Sequence, residues 1–209
     1  MTNALIINSS VQADASVSSK LTRQLADRLK AADPNLEINI RDIGANPLPH
    51  LTPETVGAIR GADPETNAAR ASLALSDTLV DELRRADLLV IGSPMYNFGM
   101  ASTLKAWFDH VLRAGFTFRY NEDGPEGLMK GKKAVVVVSR AGFYSEGAGS
   151  AQDSQEPHLW TLLAFMGITD VIFVRVEKLA FGPDAAAAAI EAAAQQLAAL
   201  TETELALAA

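Results

Sequence analysis

The segment "DLLVIGSPMYNFGMASTLKAWFDH" (residues 87–110) joins a continuous apolar run to an amphipathic run through a turn that contains Pro94, Asn97 and Gly99. A continuous apolar run is typical of a strand buried on both faces of a parallel sheet. After the turn, apolar residues recur at helical spacing, at Leu104, Trp107, Phe108, Val111 and Leu112. The segment therefore predicts a strand, a loop and a helix, the order found in the crossover units of α/β folds.

The same alternation extends along the rest of the chain. Four further apolar runs predict strands at residues 4–7, 36–41, 134–139 and 171–176, with helical patterns between them. The run at residues 36–41 alternates polar and apolar residues, which favours an edge strand. We therefore predict a single α/β domain over residues 1–209, with a doubly wound, five-stranded parallel sheet of order 2-1-3-4-5 and helices on both faces.

Composition excludes several functional classes. The chain has 209 residues and a net charge of -7, and its longest basic cluster is "KGKK" (residues 130–133). These values argue against nucleic acid or an anionic membrane as a partner. The chain has no cysteine, which excludes disulfides, thiolate nucleophiles and cysteine metal sites. The first ten residues lack the features of a signal peptide, and we expect a cytoplasmic protein.

Two long segments interrupt the alternation of strands and helices. Residues 42–67 are rich in proline, and residues 115–133 are rich in glycine. Long loops in compact domains are often functional, and we expect both segments at the carboxyl edge of the sheet, as lids or dimer contacts.

The junction after the first strand offers an anion site. It reads "NSSVQADASVSSK" (residues 8–20), with hydroxyls at Ser10, Ser16 and Ser18 beside the N–H groups of a helix start. Ordinary helix capping explains the same serines. Neither "GxxxxGK[ST]" nor "GxGxxG" follows the strand, so a monophosphate fits better than a dinucleotide.

The turn in the opening segment should lie at the same sheet edge. Met95, Tyr96 and Phe98 would there pack on a planar ring, although they could equally be ordinary core residues. A second small-residue loop, "SRAGFYSEGAGS" (residues 139–150), follows the fourth predicted strand. Together the two loops predict a site that binds a flat cofactor between them.

Several motifs resemble one known family. They are "NSS" near the start, "RDIGANPLP" (residues 41–49), "SPMYNF" (residues 93–98), "RAGFTFRYNEDGPEGL" (residues 113–128), "GKKAVVVVSRAG" (residues 131–142) and "FMGITDV" (residues 165–171). The chain resembles the flavodoxin-like FMN-dependent NADH azoreductases and NAD(P)H:quinone oxidoreductases. The resemblance implies a homodimer with tightly bound FMN. It also implies ping-pong hydride transfer from NADH or NADPH to quinones or azo compounds.

The resemblance also assigns residues, and it requires no catalytic side chain beyond the flavin. It implies phosphate contacts at Ser10, Ser16, Val17 and Ser18, ring contacts at Met95, Tyr96, Asn97 and Phe98, and polar-edge contacts at Ser139, Arg140, Ala141 and Gly142. The implied substrate pocket contains Arg60, Phe98, Tyr120, Tyr144 and Phe165. Tyr144 stands where some relatives have histidine, and Ala141 replaces a glycine of the family pattern.

Two other functions stay open. A flavodoxin-type electron carrier would use the same FMN site but leave the flavin edge open to a partner protein. An acyl-carrier-protein phosphodiesterase, a label that family members have carried, would need metal ligands or a nucleophile with a base. His50, His110 and His158 are far apart and form no ligand motif, so we expect no metal site.

Overall fold

The computed structural model describes residues 2–203. The strands are β1 (Asn3–Asn8), β2 (Glu37–Asp42), β3 (Leu88–Tyr96), β4 (Gly99–Met100), β5 (Phe118–Asn121), β6 (Gly124–Gly127), β7 (Lys133–Ser139) and β8 (Asp170–Val176). The α-helices are α1 (Val17–Ala32), α2 (Val56–Ile59), α3 (Asn67–Arg85), α4 (Ser102–Val111), α5 (Glu156–Phe165) and α6 (Pro183–Thr203). Short 3-10 turns occupy Ala13–Ala15 and Gly147–Gln152.

The principal sheet confirms the predicted topology. Its strand order is β2-β1-β3-β7-β8, and all four neighbouring pairs are parallel. In order of sequence these five strands give 2-1-3-4-5. None of the residues of β2 is fully buried, as expected for an edge strand. Because β2 and β3 lie on opposite sides of β1, the chain reverses direction there and opens a crevice at the carboxyl edge.

The sheet is covered on both faces because its central strands carry runs of consecutive apolar residues. Leu5 and Ile7 of β1 pack with α3, α4 and α5 on one face. Ala4 and Ile6 pack with α1 and α6 on the other. This alternation continues in β3 and β7, which have no exposed face to carry polar residues. The two apolar layers hold the strand ends, and therefore the loops that leave them, in fixed positions.

Sequence signals explain where the main helices begin. The hydroxyl of Ser16 accepts the N–H of Ser19 at 3.1 Å and caps α1, and the hydroxyl of Thr66 accepts the N–H of Ala69 and caps α3. Pro183 opens α6, as its fixed φ allows. Within residues 2–203, no helix combines the length and the apolar character needed to cross a membrane.

Residues 42–67 begin at the expected edge. Gly44 donates its N–H to the carbonyl of Asn8, and a Cβ at this position would lie only 2.0 Å from the carbonyl oxygen of Ser10. Glycine is therefore required for the segment to pack against the residues that follow β1. The segment contains α2, which the sequence did not predict.

The expected position of residues 115–133 at the carboxyl edge was wrong. α4 runs back from the carboxyl end of β3, so the segment that follows α4 starts at the opposite, amino edge of the sheet. Lys132 donates to the carbonyl of Ala86, just before β3 begins. The segment forms the β5–β6 hairpin, and Gly127 packs against Gly167 ahead of β8. It cannot close over the carboxyl edge of its own chain.

Candidate functional site

Three loops meet at the carboxyl edge of the sheet. They are the β1–α1 loop (residues 9–16), the β3–β4 turn (residues 97 and 98) and the β7–α5 loop (residues 140–155). Thr103 at the start of α4 donates to the carbonyl of Ser9 at 2.8 Å, and Ser154 donates its N–H to the carbonyl of Phe98 at 3.0 Å. These bonds join the turn to the loop on each side of it.

The β1–α1 loop provides the donors that an anion requires. Ser10, Ser16 and Ser18 are buried, and the hydroxyls of Ser16 and Ser18 lie 3.3 Å apart. Ser16 satisfies the N–H groups of Ser19 and Lys20. The N–H groups of Val17 and Ser18 have no partner among residues 2–203, and the first turn of α1 has no acidic residue. The free donors and the helix dipole together favour a negative group here.

Tyr96 connects this loop to the end of β3. Its hydroxyl lies 3.2 Å from the hydroxyl of Ser10 and accepts the N–H of Val11 at 3.3 Å. The sequence placed Tyr96 along a planar ligand with Met95 and Phe98. The structure directs its phenol toward the anion-binding loop, so the side chain braces that loop.

The β3–β4 turn has unusual backbone geometry. Asn97 and Phe98 have φ values of 48° and 71°, and they connect the paired residues Tyr96 and Gly99. Two successive positive φ values are the signature of a tight hairpin turn that favours Asn–Gly. Asn97 suits the first position, but a bulky side chain at the second is strained. Phe98 occupies a position at which glycine would adopt the same backbone conformation at lower energy. The residue is 47% exposed.

The β7–α5 loop presents a second pair of free donors. The carbonyl groups of Ala141 and Gly142 accept N–H groups from Ala180 and Lys178. The N–H groups of Ala141 and Gly142 themselves form no hydrogen bond among the described residues. The N–H groups of Ala141 and Gly142 share peptide planes with the carbonyl groups of Arg140 and Ala141, which accept from Leu179 and Ala180, so the orientation of both amides is fixed. Ser139, at the end of β7, is 8% exposed.

The prediction that Arg140 faces the ligand needs correction. The residue is 1% exposed, its N–H donates to Val176, and its carbonyl accepts from Leu179. All three guanidinium nitrogens are engaged, with Gln155 at 3.0 Å, Glu177 at 3.1 Å and Asp153 at 2.9 Å. A buried guanidinium requires such partners, so Arg140 organises the loop from beneath.

The five predicted pocket residues fall into separate places. Phe98 and Tyr144 form an edge-to-face pair with ring centroids 6.1 Å apart, beside the free amides of the β7–α5 loop. Arg60 lies exposed at the end of α2.

Tyr120 and Phe165 do not join this pair within one chain. They flank Phe118, at centroid distances of 5.6 and 4.7 Å. Gln155, next to α5, bonds to Ser93, whereas Phe165 ends that helix, about 15 Å further along at 1.5 Å per residue. The five residues therefore do not form one pocket within a single chain.

Two buried polar residues at this edge were missed from the sequence. Gln155 donates to the carbonyl and hydroxyl of Ser93, and Glu177 accepts from Tyr144 and Ser145. Glu177 follows a predicted strand at the ligand-binding edge, and that position was the available signal. Gln155 offered none, because nothing in its local sequence indicates that it is buried.

These features define a doubly wound α/β protein whose ligand edge suits an anionic, planar molecule. A family model described as flavodoxin-like fold matches residues 2–200, and the chain belongs to that family. It is 50% identical over 203 residues to an FMN-dependent NADH:quinone oxidoreductase of Hyphomonas neptunium, covering 97% of each chain. It is 48% identical to a protein of the same name from Burkholderia pseudomallei, covering 96% of this chain and all of that one.

Solved structures agree with this membership. An azoreductase from Bacillus anthracis superposes with a TM-score of 0.87 at 28% identity, covering 96% of this chain and 98% of that one. A second solved azoreductase, AzrA, gives a TM-score of 0.86 at 27% identity. Both superpositions cover 96% of this chain.

The strain in the turn gives a testable expectation. Phe98→Gly should be more stable than Phe98→Ala by about 1 kcal/mol, because only glycine adopts a φ of 71° without steric cost. Both variants remove the ring, so the difference between their free energies of unfolding reports the cost of the backbone conformation. Urea unfolding of the two cofactor-free proteins measures it. Equal stability, or a less stable glycine variant, would show that the turn is not strained.

Proposed function

We propose that this protein is an FMN-dependent oxidoreductase that passes hydride from NADH to quinones, and also to azo compounds. The observation that carries the proposal is that two pairs of backbone N–H groups at the carboxyl edge have no partner among residues 2–203. The pairs are Val17 with Ser18 and Ala141 with Gly142. The first pair lies at the start of α1, which follows β1, and the second on the loop that leaves β7; β1 and β7 flank β3. The names of the relatives at 48–50% identity give the same activity to proteins with nearly the same length.

The residues fit FMN at both of its polar ends. Val17 and Ser18, with the serine hydroxyls, would hold the phosphate at the start of α1. Met95, Asn97 and Phe98 would lie along the ring, and the amides of Ala141 and Gly142 would meet its pyrimidine edge. When bound, FMN accepts hydride from a nicotinamide and donates it to the acceptor.

The protein then contributes position and electrostatics. N–H dipoles at Ala141 and Gly142 would stabilise negative charge at the edge they face, and they need no reorganisation because the carbonyl groups in the same peptide planes are already bonded. Phe98 and Tyr144 form an aromatic wall beside this edge, which would hold donor and acceptor in turn. A shared binding place of this kind supports a ping-pong order of events.

We propose that the working protein is a homodimer with sites formed by two chains. Tyr120 is 71% exposed on the β5–β6 hairpin, and Phe118, Tyr120 and Phe165 form an aromatic cluster away from the chain's own ligand edge. For Tyr120 and Phe165 to contact the substrate, a second copy must bring them to it. A cytoplasmic location is part of the proposal, because the nicotinamide donor is held there.

The alternatives are less well supported. A single-electron carrier would not need the Phe98–Tyr144 pair, which covers the edge a partner protein would use. A metal-dependent hydrolase would need a ligand cluster, and no group of three His, Cys, Asp or Glu side chains suited to a metal is present in residues 2–203.

Reconstitution with FMN tests the activity. The purified protein should retain the flavin through desalting and, with NADH and menadione under anaerobic conditions, should turn over without any added protein. NADPH and methyl red, run in parallel, define the donor and the acceptor range. Flavin reduction only through a separate reductase would favour the carrier, and failure to retain FMN would overturn both flavin functions.

The phosphate contact has its own test. Val17→Asp should fold, because a carboxylate is favourable at a helix N-terminus. It should weaken FMN binding about 100-fold, since two negative groups would then share the start of α1. Val17→Asn is the matched neutral control, and riboflavin, which lacks the phosphate, should bind both variants alike. Flavin fluorescence quenching gives the constants. Equal losses for FMN and riboflavin would place the phosphate elsewhere.

The two-chain site predicts complementation. Val17→Asp should lack flavin, and the double variant Tyr120→Ala/Phe165→Ala should bind flavin but turn over poorly. A mixed dimer contains one site with intact flavin loops from one chain and intact aromatics from the other. Mixing the two after partial unfolding and refolding should therefore restore up to half the wild-type activity per mixed dimer, or about a quarter for the whole sample when equal amounts of the two chains pair at random. No restoration, despite mixed dimers on native mass spectrometry, would assign the aromatics to their own chain's site or to none.

A further inference from the structure

Glu177 occupies an unusual position at the ligand edge. It follows β8 directly and is 8% exposed, and one oxygen of its carboxylate accepts the N–H groups of two successive residues, Tyr144 at 2.9 Å and Ser145 at 3.1 Å. The other oxygen accepts the hydroxyl of Ser145 at 2.5 Å. The carboxylate therefore holds the β7–α5 loop immediately after the two free amides.

The same carboxylate is joined to a longer polar chain. Arg140 donates to Glu177 at 3.1 Å and to Gln155 at 3.0 Å, and Gln155 donates to the carbonyl of Ser93 at 2.9 Å. Ser93 lies on β3, just ahead of the turn that carries Phe98. Glu177, Arg140 and Gln155 thus connect the two loops that would lie on either side of the flavin.

We propose that Glu177 is a positioning residue for flavin binding. Through Tyr144, Ser145 and Arg140 it fixes residues 141–145 with the N–H groups of Ala141 and Gly142 open toward the cleft. This inference rests on the proposed FMN function. It assigns a binding role to a side chain that does not itself contact the ligand.

Two further features support the role. Lys178, the next residue, has a φ of 64°, and its N–H bonds to the carbonyl of Gly142, so the chain after β8 is bent in a way that brings Glu177 under the loop. Burial raises the pKa of Glu177, but hydrogen bonds from Ser145, Tyr144 and Arg140 outweigh it and lower the pKa overall. The group is held as a carboxylate, the form that accepts all of these bonds.

Loss of the carboxylate leaves Arg140 and two backbone amides short of an acceptor in a buried place, which should release the loop. Glu177→Ala should do this. Glu177→Gln retains an amide oxygen for the two N–H groups and should largely rescue the loop. Glu146→Ala is the matched control, because Glu146 is an exposed glutamate on the same loop whose side chain forms no hydrogen bond with residues 2–203.

Two measurements on each variant test the proposal. Hydrogen–deuterium exchange of the cofactor-free protein reports the amides of Tyr144 and Ser145, which are bonded to Glu177, with β3 and β7 as the reference for global folding. Flavin fluorescence titration then gives the FMN dissociation constant. In Glu177→Ala the loop should lose protection while the strands keep theirs, and FMN should bind about tenfold more weakly or worse. Glu177→Gln and Glu146→Ala should stay within about threefold of wild type.

Several outcomes would overturn the proposal. Unchanged loop protection in Glu177→Ala would show that the carboxylate does not hold the loop. Lost protection with unchanged FMN affinity would make Glu177 a structural residue only. If Glu177→Ala does not fold, Glu177→Asp takes its place, because the shorter side chain cannot reach Tyr144, Ser145 and Arg140 together; it must show both effects relative to Glu146→Ala, or the proposal fails. A wild-type protein that does not bind FMN would overturn the proposed function and this role with it, while exchange would still show whether Glu177 holds the loop.

Discussion

The reversal of chain direction beside β1 is the constraint on which the site depends. Because β1, β3 and β7 are parallel neighbours, their carboxyl ends meet at one edge, and α1 and α4 leave that edge over opposite faces of the sheet. The loops between them separate, and backbone donors at their ends have no strand to pair with. Binding capacity here comes from the topology first and from side chains second.

Buried polar side chains turn these donors into a defined site. On one side, Ser16 caps α1 and Tyr96 braces Ser10, which leaves the N–H groups of Val17 and Ser18 free. On the other side, Arg140 and Glu177 hold the loop so that the N–H groups of Ala141 and Gly142 are free. In both places the buried polar side chains hold the backbone in position, and the backbone N–H groups would bind the ligand.

The sequence predicted the features that depend on local pattern. Four continuous apolar runs identified the strands that are buried on both faces, and one alternating run identified β2 and its position at the edge. The strand order followed from the doubly wound fold that this alternation of strands and helices predicts. β4 and the β5–β6 hairpin were missed, since short strands that contain Gly99, Arg119 and Asn121 carry no apolar alternation. The predicted direction of the Arg140 side chain was also wrong. It is set by Glu177, 37 residues away along the chain, and no local pattern encodes that pairing.

We propose that one ligand binds both sets of unbonded amides, those at the start of α1 and those on the β7–α5 loop. Titration of the 15N-labelled, cofactor-free protein with FMN, followed by NMR, tests it most directly. If one FMN molecule spans both places, the four backbone amide signals should all shift at the same FMN concentration. These signals belong to Val17, Ser18, Ala141 and Gly142. Shifts confined to one of the two loops, or shifts with different midpoints, would contradict it.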